Sequence, residues 1–234
     1  MSDFIFFGFH MHILSFLSQV GLLPRSQSSQ ALKQGLISIN DQIIFSSQQL
    51  IAGDCVCFLD QKLIYQDVYT ILLHKPKGYV CSEKDEWQFV SYKQLLLDYP
   101  YRNLVSCAGR LDGNSHGLAL CTSDGGLIHR LTHPKSKLPK TYLVQTKFPV
   151  SDHDLVQLRQ GVILDDGYQT LPCIVDCMDI SRDRLSLTIV EGKFHQIKRM
   201  MIAIHNQVVD LQRISIGEWN LWDLWSGEWR DIKY

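Results

Sequence analysis

The chain has 234 residues, of which 45% are hydrophobic and 20% are charged, and its formal net charge is −1. This length accommodates one large domain or a small and a medium one, and the composition predicts a packed core. A net charge close to zero excludes a globally basic nucleic-acid binder, so any contact with RNA must use local patches. The seven cysteines have no familiar zinc spacing, and we expect free thiols in a reducing cytoplasm.

Residues 1–10 are rich in phenylalanine, but Asp3 precedes the apolar stretch and no small-residue cleavage site follows it. We therefore predict an extension ahead of the first helix rather than a signal peptide. No run of eighteen apolar residues occurs, so no membrane span is expected. The predicted location is the cytoplasm.

A small first unit is predicted over residues 11–60. Apolar spacing and turn residues predict two helices, 12–20 and 26–34, and a hairpin over 36–44. Residues 61–69 are expected to form a linker.

The second unit is predicted over residues 70–234. Apolar or alternating stretches predict strands at 70–74, 104–108, 118–122, 141–146, 171–178 and 185–190. Helices are expected at 152–160 and 195–205. Because the helices do not alternate regularly with the strands, the pattern favours an α+β fold over a doubly wound sheet.

The segment from Gly109 to Leu118 is the most informative part of the chain, because it places Asp112 in a glycine-containing loop ahead of an apolar strand. A carboxylate on a rigid loop beside a strand is well placed for catalysis. The alternative is that Asp112 only caps a turn, as most Asp-Gly pairs do.

Three blocks resemble the RsuA-type pseudouridine synthases. They are LHKPKGYVCS at 73–82, GRLDGNSHGL at 109–118 with the segments that follow it, and EGKFHQIKRM at 191–200. Three blocks in the family's order are more specific than any single motif. The resemblance implies an α+β fold, with an S4-like RNA-binding domain followed by a mixed, mostly antiparallel sheet that has a central cleft.

The resemblance also implies a catalytic set. Asp112 matches the family's essential aspartate, Lys198 matches a basic residue facing it, and Tyr142 matches the active-site tyrosine. Ile197 matches an aliphatic position that packs against the base. Taken alone, Lys198 could instead contact a phosphate, while Tyr142 and Ile197 could simply be core residues.

Cationic residues are candidates for RNA contacts. Arg110 could fill the space left by an extruded uridine or bond only to loop carbonyls. Acid-free stretches at 125–151 and 192–209 contain Arg130, Lys140, Lys193 and Arg199. Residues 1–60 contain only two basic residues, Arg25 and Lys33, and four aspartates. We therefore expect the first unit to bind RNA weakly.

The expected activity is conversion of a uridine to pseudouridine in ribosomal RNA, without cofactor or metal, by a monomer. The His129/His133 pair lacks the glutamate of a zinc helix. Tyr79–Ser82 and the short C-terminal end most resemble the enzymes of uridine 516 in 16S rRNA. Alternatives are a 23S rRNA enzyme, a non-catalytic ribosome-assembly protein that binds RNA, and a nucleoside hydrolase, which would need a second acid to activate water.

Overall fold

A computed structural model describes residues 11–233; the predicted extension at residues 1–10 lies outside them. The chain separates into two compact units. Among the described residues, the first contains 11–69 with the segments 97–106 and 122–124, and the second contains the others. Between residues 11 and 233 no helix is long and apolar enough to cross a membrane.

The first unit combines two helices with a four-stranded antiparallel sheet. The helices are α1 Ile13–Gln19 and α2 Arg25–Lys33, and the strands are β1 Ile37–Ile39, β2 Gln42–Ile43, β3 Cys55–Phe58 and β4 Gln61–Ile64. The strand order is β2-β1-β3-β4. Ile13, Phe16 and Leu17 are completely buried, which is the spacing that a one-faced helix requires.

The expected linker at 61–69 differs from the structure, because residues 61–64 form β4 and pair with β3. Leu63 is buried while its neighbours are exposed, so this short strand contributes one side chain to the core. A single buried residue is too weak a pattern to distinguish a strand from a linker.

Residues 97–106 also differ from the expected boundaries, since they belong to the first unit. The ring of Tyr101 stacks on Tyr69 with centroids 4.3 Å apart, and its hydroxyl makes two 2.9 Å hydrogen bonds to the backbone of Ile64. These contacts join positions far apart in sequence, which local patterns do not report.

The remaining helices are α3 Gly125–Thr132, α4 Asp152–Gln160 and α5 Gln196–Ala203. The remaining strands are β5 Thr70–Lys75, β6 Tyr79–Val80, β7 Val90–Ser91, β8 Ser106–Cys107, β9 His116–Thr122, β10 Lys140–Thr146, β11 Ile174–Cys177, β12 Arg184–Ile189, β13 Val208–Ile216, β14 Trp219–Asn220 and β15 Trp229–Asp231. The main sheet has the order β11-β12-β10-β13-β9-β5-β15, with β14 on β13 and β8 on β9.

This sheet is mixed and mostly antiparallel, as predicted. β13 and β9 run parallel, whereas β10, β12 and β11 pair antiparallel with their neighbours. One core cluster joins residues of these strands to residues of α4 and α5, among them Val144, Leu155, Leu187, Met200 and Leu211. The cluster fixes β10, which carries Tyr142, relative to α5, which carries Ile197 and Lys198.

Gly117, at the start of β9, lies where a side chain does not fit. Its φ is +112°, and a Cβ would lie 2.2 Å from the carbonyl oxygen of Arg213 on β13. Gly117→Ala is therefore expected to lower the free energy of unfolding by about 3 kcal/mol or more, measured by urea denaturation. Gly125→Ala is the control, since its Cβ would meet no atom within 4 Å. Equal stability of the two variants would contradict a tight β9–β13 contact.

Candidate active site

A cavity of about 830 Å³ opens in the second unit. Its wall is formed mainly by the loop 108–115, the segment 189–198, residues 131–134 and several side chains of the sheet. Two of these segments coincide with the motif blocks that contain Asp112 and Lys198. The folded chain thus brings together residues that are 86 positions apart.

Asp112 lies in a small ionic group on the cavity wall. Lys198 Nζ donates a 2.7 Å hydrogen bond to Asp112 Oδ2, and His195 Nε2 lies 3.5 Å from the same oxygen. The side chains of Asp112 and Lys198 are 29% and 28% exposed, so a ligand in the cavity can reach both. A charge-assisted hydrogen bond in this half-buried setting fixes the direction of the carboxylate.

Lys75, at the end of β5, holds the loop that carries Asp112. Its side chain is completely buried. The three N–H groups of Nζ are shared among four backbone carbonyl oxygens, those of Pro76 (2.9 Å), Tyr79 (2.6 Å), Asp112 (3.2 Å) and Ser115 (2.7 Å). Burial lowers the pKa of Lys75 to about 8, while the carbonyl oxygens favour the charged form, so the ammonium is protonated at neutral pH.

Lys75→Met is expected to reduce the free energy of unfolding by about 3 kcal/mol, because methionine keeps the volume but removes the donor for these carbonyl groups. Urea denaturation measures the loss. Lys77→Met is the control, because Lys77 is half exposed and forms an ion pair with Asp210 at the surface, where such pairs contribute about 1 kcal/mol or less. If both variants are equally stable, other contacts hold the loop.

Glu191 fixes the turn that precedes α5. This buried carboxylate accepts hydrogen bonds from Tyr168 Oη (2.8 Å), Leu171 N (3.0 Å) and Gln196 Nε2 (2.5 Å). The amide oxygen of Gln196 accepts in turn from Lys193 N at 2.9 Å. Because these bonds define where α5 begins, they also determine where Lys198 points.

Tyr142 on β10 and Ile197 on α5 form an apolar part of the cavity wall. They are 8% and 4% exposed and belong to the core cluster, so each side chain packs in the core and also borders the cavity. Arg213 on β13 lies opposite Tyr142 in the strand register. Burial opposes its charge, but Tyr142 and nearby thiols raise the pKa of Arg213 overall, so a permanent cation lies behind the tyrosine.

The predicted RNA-binding residues do not all lie at the cavity. Arg110, Lys140 and Lys193 line it, and Arg110 pairs with Glu86 at 2.8 Å. Arg130 is exposed on α3 and outside the cavity lining. Arg25 and Lys33 lie on α2 of the first unit.

Arg199, which was predicted as an RNA contact, is engaged in ion pairs within the protein. Its guanidinium is ion-paired with Asp165 and with Asp166, the latter at 2.7 Å, and its side chain is 16% exposed. Asp166 and Asp165 raise the pKa of Arg199, and their negative charges compensate that of the guanidinium. The ion pairs connect α5 to the loop at 165–166. An acid-free stretch of sequence therefore did not mean an unpaired cation.

Three residues of the site were not predicted, namely Lys75, Glu191 and His195. Each lies inside one of the three motif blocks. Lys75 carried a usable signal, since a lysine that ends an otherwise apolar strand must find buried acceptors. His129 and His133 have ring centroids 4.8 Å apart, and across residues 11–233 no three histidine, cysteine or carboxylate side chains are grouped as metal ligands.

Comparison with known proteins agrees with this geometry. Residues 69–203 match the family model described as RNA pseudouridylate synthase. Proteins named ribosomal small subunit pseudouridine synthase A are similar to the chain, with 36% identity for that of Pasteurella multocida (strain Pm70) and 34% for that of Escherichia coli (strain K12). In both cases the alignment covers 95% of this chain and 96% of the relative.

A crystal structure of a pseudouridylate synthase has a TM-score of 0.67 and 35% identity, and the match covers 95% of this chain and 96% of that one. The motif blocks, the cavity that joins them and these near full-length similarities agree. The chain therefore belongs to the RsuA-type family of pseudouridine synthases.

Proposed function

We propose that this enzyme isomerises a uridine of 16S ribosomal RNA to pseudouridine in the Asp112 cavity. The observation that carries the proposal is the 2.7 Å pair of Asp112 and Lys198 on the wall of a cavity that is partly apolar. The names of the relatives, which refer to the ribosomal small subunit, support the substrate.

The reaction breaks the N1–C1′ bond of a uridine, rotates the detached uracil and forms a C5–C1′ bond. The proton on C5 is lost and N1 gains one, so no atom is added overall. In this proposal Asp112 acts near the ribose, either as nucleophile or as base. Lys198 compensates its charge and keeps its carboxylate oriented. The apolar wall of Tyr142 and Ile197 would hold the uracil while it turns.

The hydroxyl of Tyr142 is proposed to take part in moving the C5 proton, while the ring stacks on the uracil. Tyr142→Phe should therefore lower kcat by about 10²-fold with little change in KM, because general acid–base groups contribute at least this much. Tyr101→Phe, which removes a hydroxyl that bonds to the backbone of Ile64 in the first unit and lies outside the cavity lining, should retain most of the activity. Unchanged kcat in Tyr142→Phe would leave the ring with only a stacking role.

The hydrolase alternative requires a second carboxylate that activates water. Glu191 and Glu86 line the same cavity as Asp112. However, Glu191 accepts three hydrogen bonds from protein donors, and Glu86 is ion-paired with Arg110. A carboxylate committed to such partners is poorly placed to deprotonate water, which favours an isomerase.

We also propose that the first unit is an S4-like RNA-binding domain, in line with its helices, its hairpin and the resemblance of its sequence. Arg25 and Lys33 on α2 are its proposed contacts, and with so few cations its share of the affinity should be small. A purely RNA-binding role for the whole chain is the second candidate function, but it gives no reason for the Asp112–Lys198 pair.

Carbodiimide mapping of pseudouridine tests the substrate. Ribosomal RNA from cells lacking the gene would be compared with the same RNA after treatment with the purified protein, both naked and in small-subunit particles. We expect one new stop in 16S rRNA, at uridine 516. A stop in 23S rRNA would keep the reaction and overturn the target, whereas no stop would favour the RNA-binding role.

A further inference from the structure

Two exposed aromatic side chains lie at the edge of the cavity. Trp87 is fully exposed and Phe194 is 77% exposed, yet both contribute to the lining. Neither is explained by packing in the core. Aromatic rings open to solvent beside a cationic cavity are the means by which proteins stack unpaired bases.

The hairpin that carries Trp87 is anchored to the loop that carries Asp112. Trp87 lies at the tip of this tight hairpin, in which Glu86 and Phe89 exchange backbone hydrogen bonds of 3.0 and 2.9 Å. The ring of Phe89 covers Gly113 so closely that a Cβ there would lie 2.5 Å from it. Glu86 also binds Arg110 at 2.8 Å. The left-handed φ of Trp87, 55°, is uncommon for a bulky residue.

Phe194 lies next to the other side of the catalytic pair. Its ring stacks on that of His195 with centroids 3.8 Å apart and an angle of 20°. His195 Nε2 is 3.5 Å from Asp112 Oδ2. The outer face of the Phe194 ring is therefore a flat apolar surface within two side chains of the catalytic carboxylate.

The charge of the cavity suits a polyanion. Its lining contains five lysines and arginines, Arg110, Lys140, Lys193, Lys198 and Arg213, and three acids, Glu86, Asp112 and Glu191. A net positive lining next to exposed rings combines the two elements of a single-stranded RNA site, namely backbone attraction and base stacking.

We infer that Trp87 and Phe194 form a stacking site for the nucleobases that flank the target uridine in unpaired RNA. The inference rests on the proposed function, because a uridine must leave its stack to reach Asp112 and its neighbours then lose a stacking partner. The two rings replace that partner.

The test uses a short single-stranded oligouridylate with 2-aminopurine next to the central uridine, titrated with the Asp112→Asn protein so that no turnover occurs. Introducing Trp87→Ala or Phe194→Ala into the Asp112→Asn protein should raise Kd about tenfold in each case and reduce the change in 2-aminopurine fluorescence. Trp87→Phe and Phe194→Tyr should restore both. The controls are Trp222→Ala, which alters another exposed tryptophan with a positive φ, and Phe148→Ala; neither residue lines the cavity.

Equal Kd values for Trp87→Ala, Phe194→Ala and the two controls would overturn the stacking site, as would a lack of binding by the Asp112→Asn protein. Pseudouridine formation by the wild-type protein is measured separately. A protein that makes pseudouridine but fails the oligouridylate test keeps the proposed function and loses only the stacking site. If the protein stacks the reporter base but makes no pseudouridine, the proposed function is contradicted and the stacking site is not.

Discussion

Asp112→Asn is expected to reduce the rate of pseudouridine formation by at least about 10⁴-fold, or about 5.5 kcal/mol in activation free energy. Asparagine keeps the shape of aspartate and can still accept the hydrogen bond from Lys198, but it is neither a nucleophile nor a base. Single-turnover kinetics on 16S rRNA measure the effect, with Kd for RNA as a companion value that should change little.

Asp165→Asn is the matched control for this substitution. Asp165 is an exposed carboxylate that pairs with Arg199 outside the cavity, so its variant should keep the wild-type rate within about threefold. An Asp112→Asn protein whose rate stays within tenfold of wild type would remove Asp112 from the chemistry.

Lys198→Met is expected to lower kcat by about 10³-fold with a smaller change in KM. The methionine leaves the half-buried carboxylate of Asp112 without the cation that faces it. The Asp112 side chain then no longer has a fixed orientation. Steady-state kinetics on 16S rRNA separate the two parameters.

Lys193→Met provides the comparison, because Lys193 lines the same cavity but lies over the ring of Tyr168, with Nζ 4.3 Å from its centroid. Loss of this exposed cation should raise KM by about tenfold or less and leave kcat nearly unchanged. If Lys198→Met also changed only KM, Lys198 would be a phosphate contact, which is the alternative that its sequence position left open.

The sequence was most informative where the signals are local. The prediction of a helix at 152–160 is confirmed residue for residue, because Ser151 and Asp154 form a capping box at its start and Gly161 ends it. The resemblance to the RsuA-type family is confirmed by the comparisons. The expectation that Lys198 faces Asp112 agrees with the geometry, although the catalytic roles of both residues stay predictions.

The structure departs from the predictions where contacts between residues distant in sequence determine it. β13 was not predicted, because a buried arginine, Arg213, occupies one of its core-facing positions and interrupts the apolar alternation that marks a strand. Arg199 was predicted as an RNA contact because it lies in an acid-free stretch of sequence, yet Asp165 and Asp166 reach it from a distant loop. Lys75 could have been noticed as a lysine within a largely apolar strand, but its acceptors are backbone carbonyl groups, whose identity no side-chain pattern reveals.

The central claim is that the Asp112 cavity joins C5 of a uridine to its own ribose, and the most direct test follows the C5 hydrogen. 16S rRNA containing uridine tritiated at C5 would be incubated with the wild-type and Asp112→Asn proteins. We predict that the wild-type protein releases tritium to water in equal amount to the pseudouridine formed, with the uracil still attached to RNA, and that Asp112→Asn releases none. Free tritiated uracil with no pseudouridine would contradict the account, because the enzyme would then be a hydrolase.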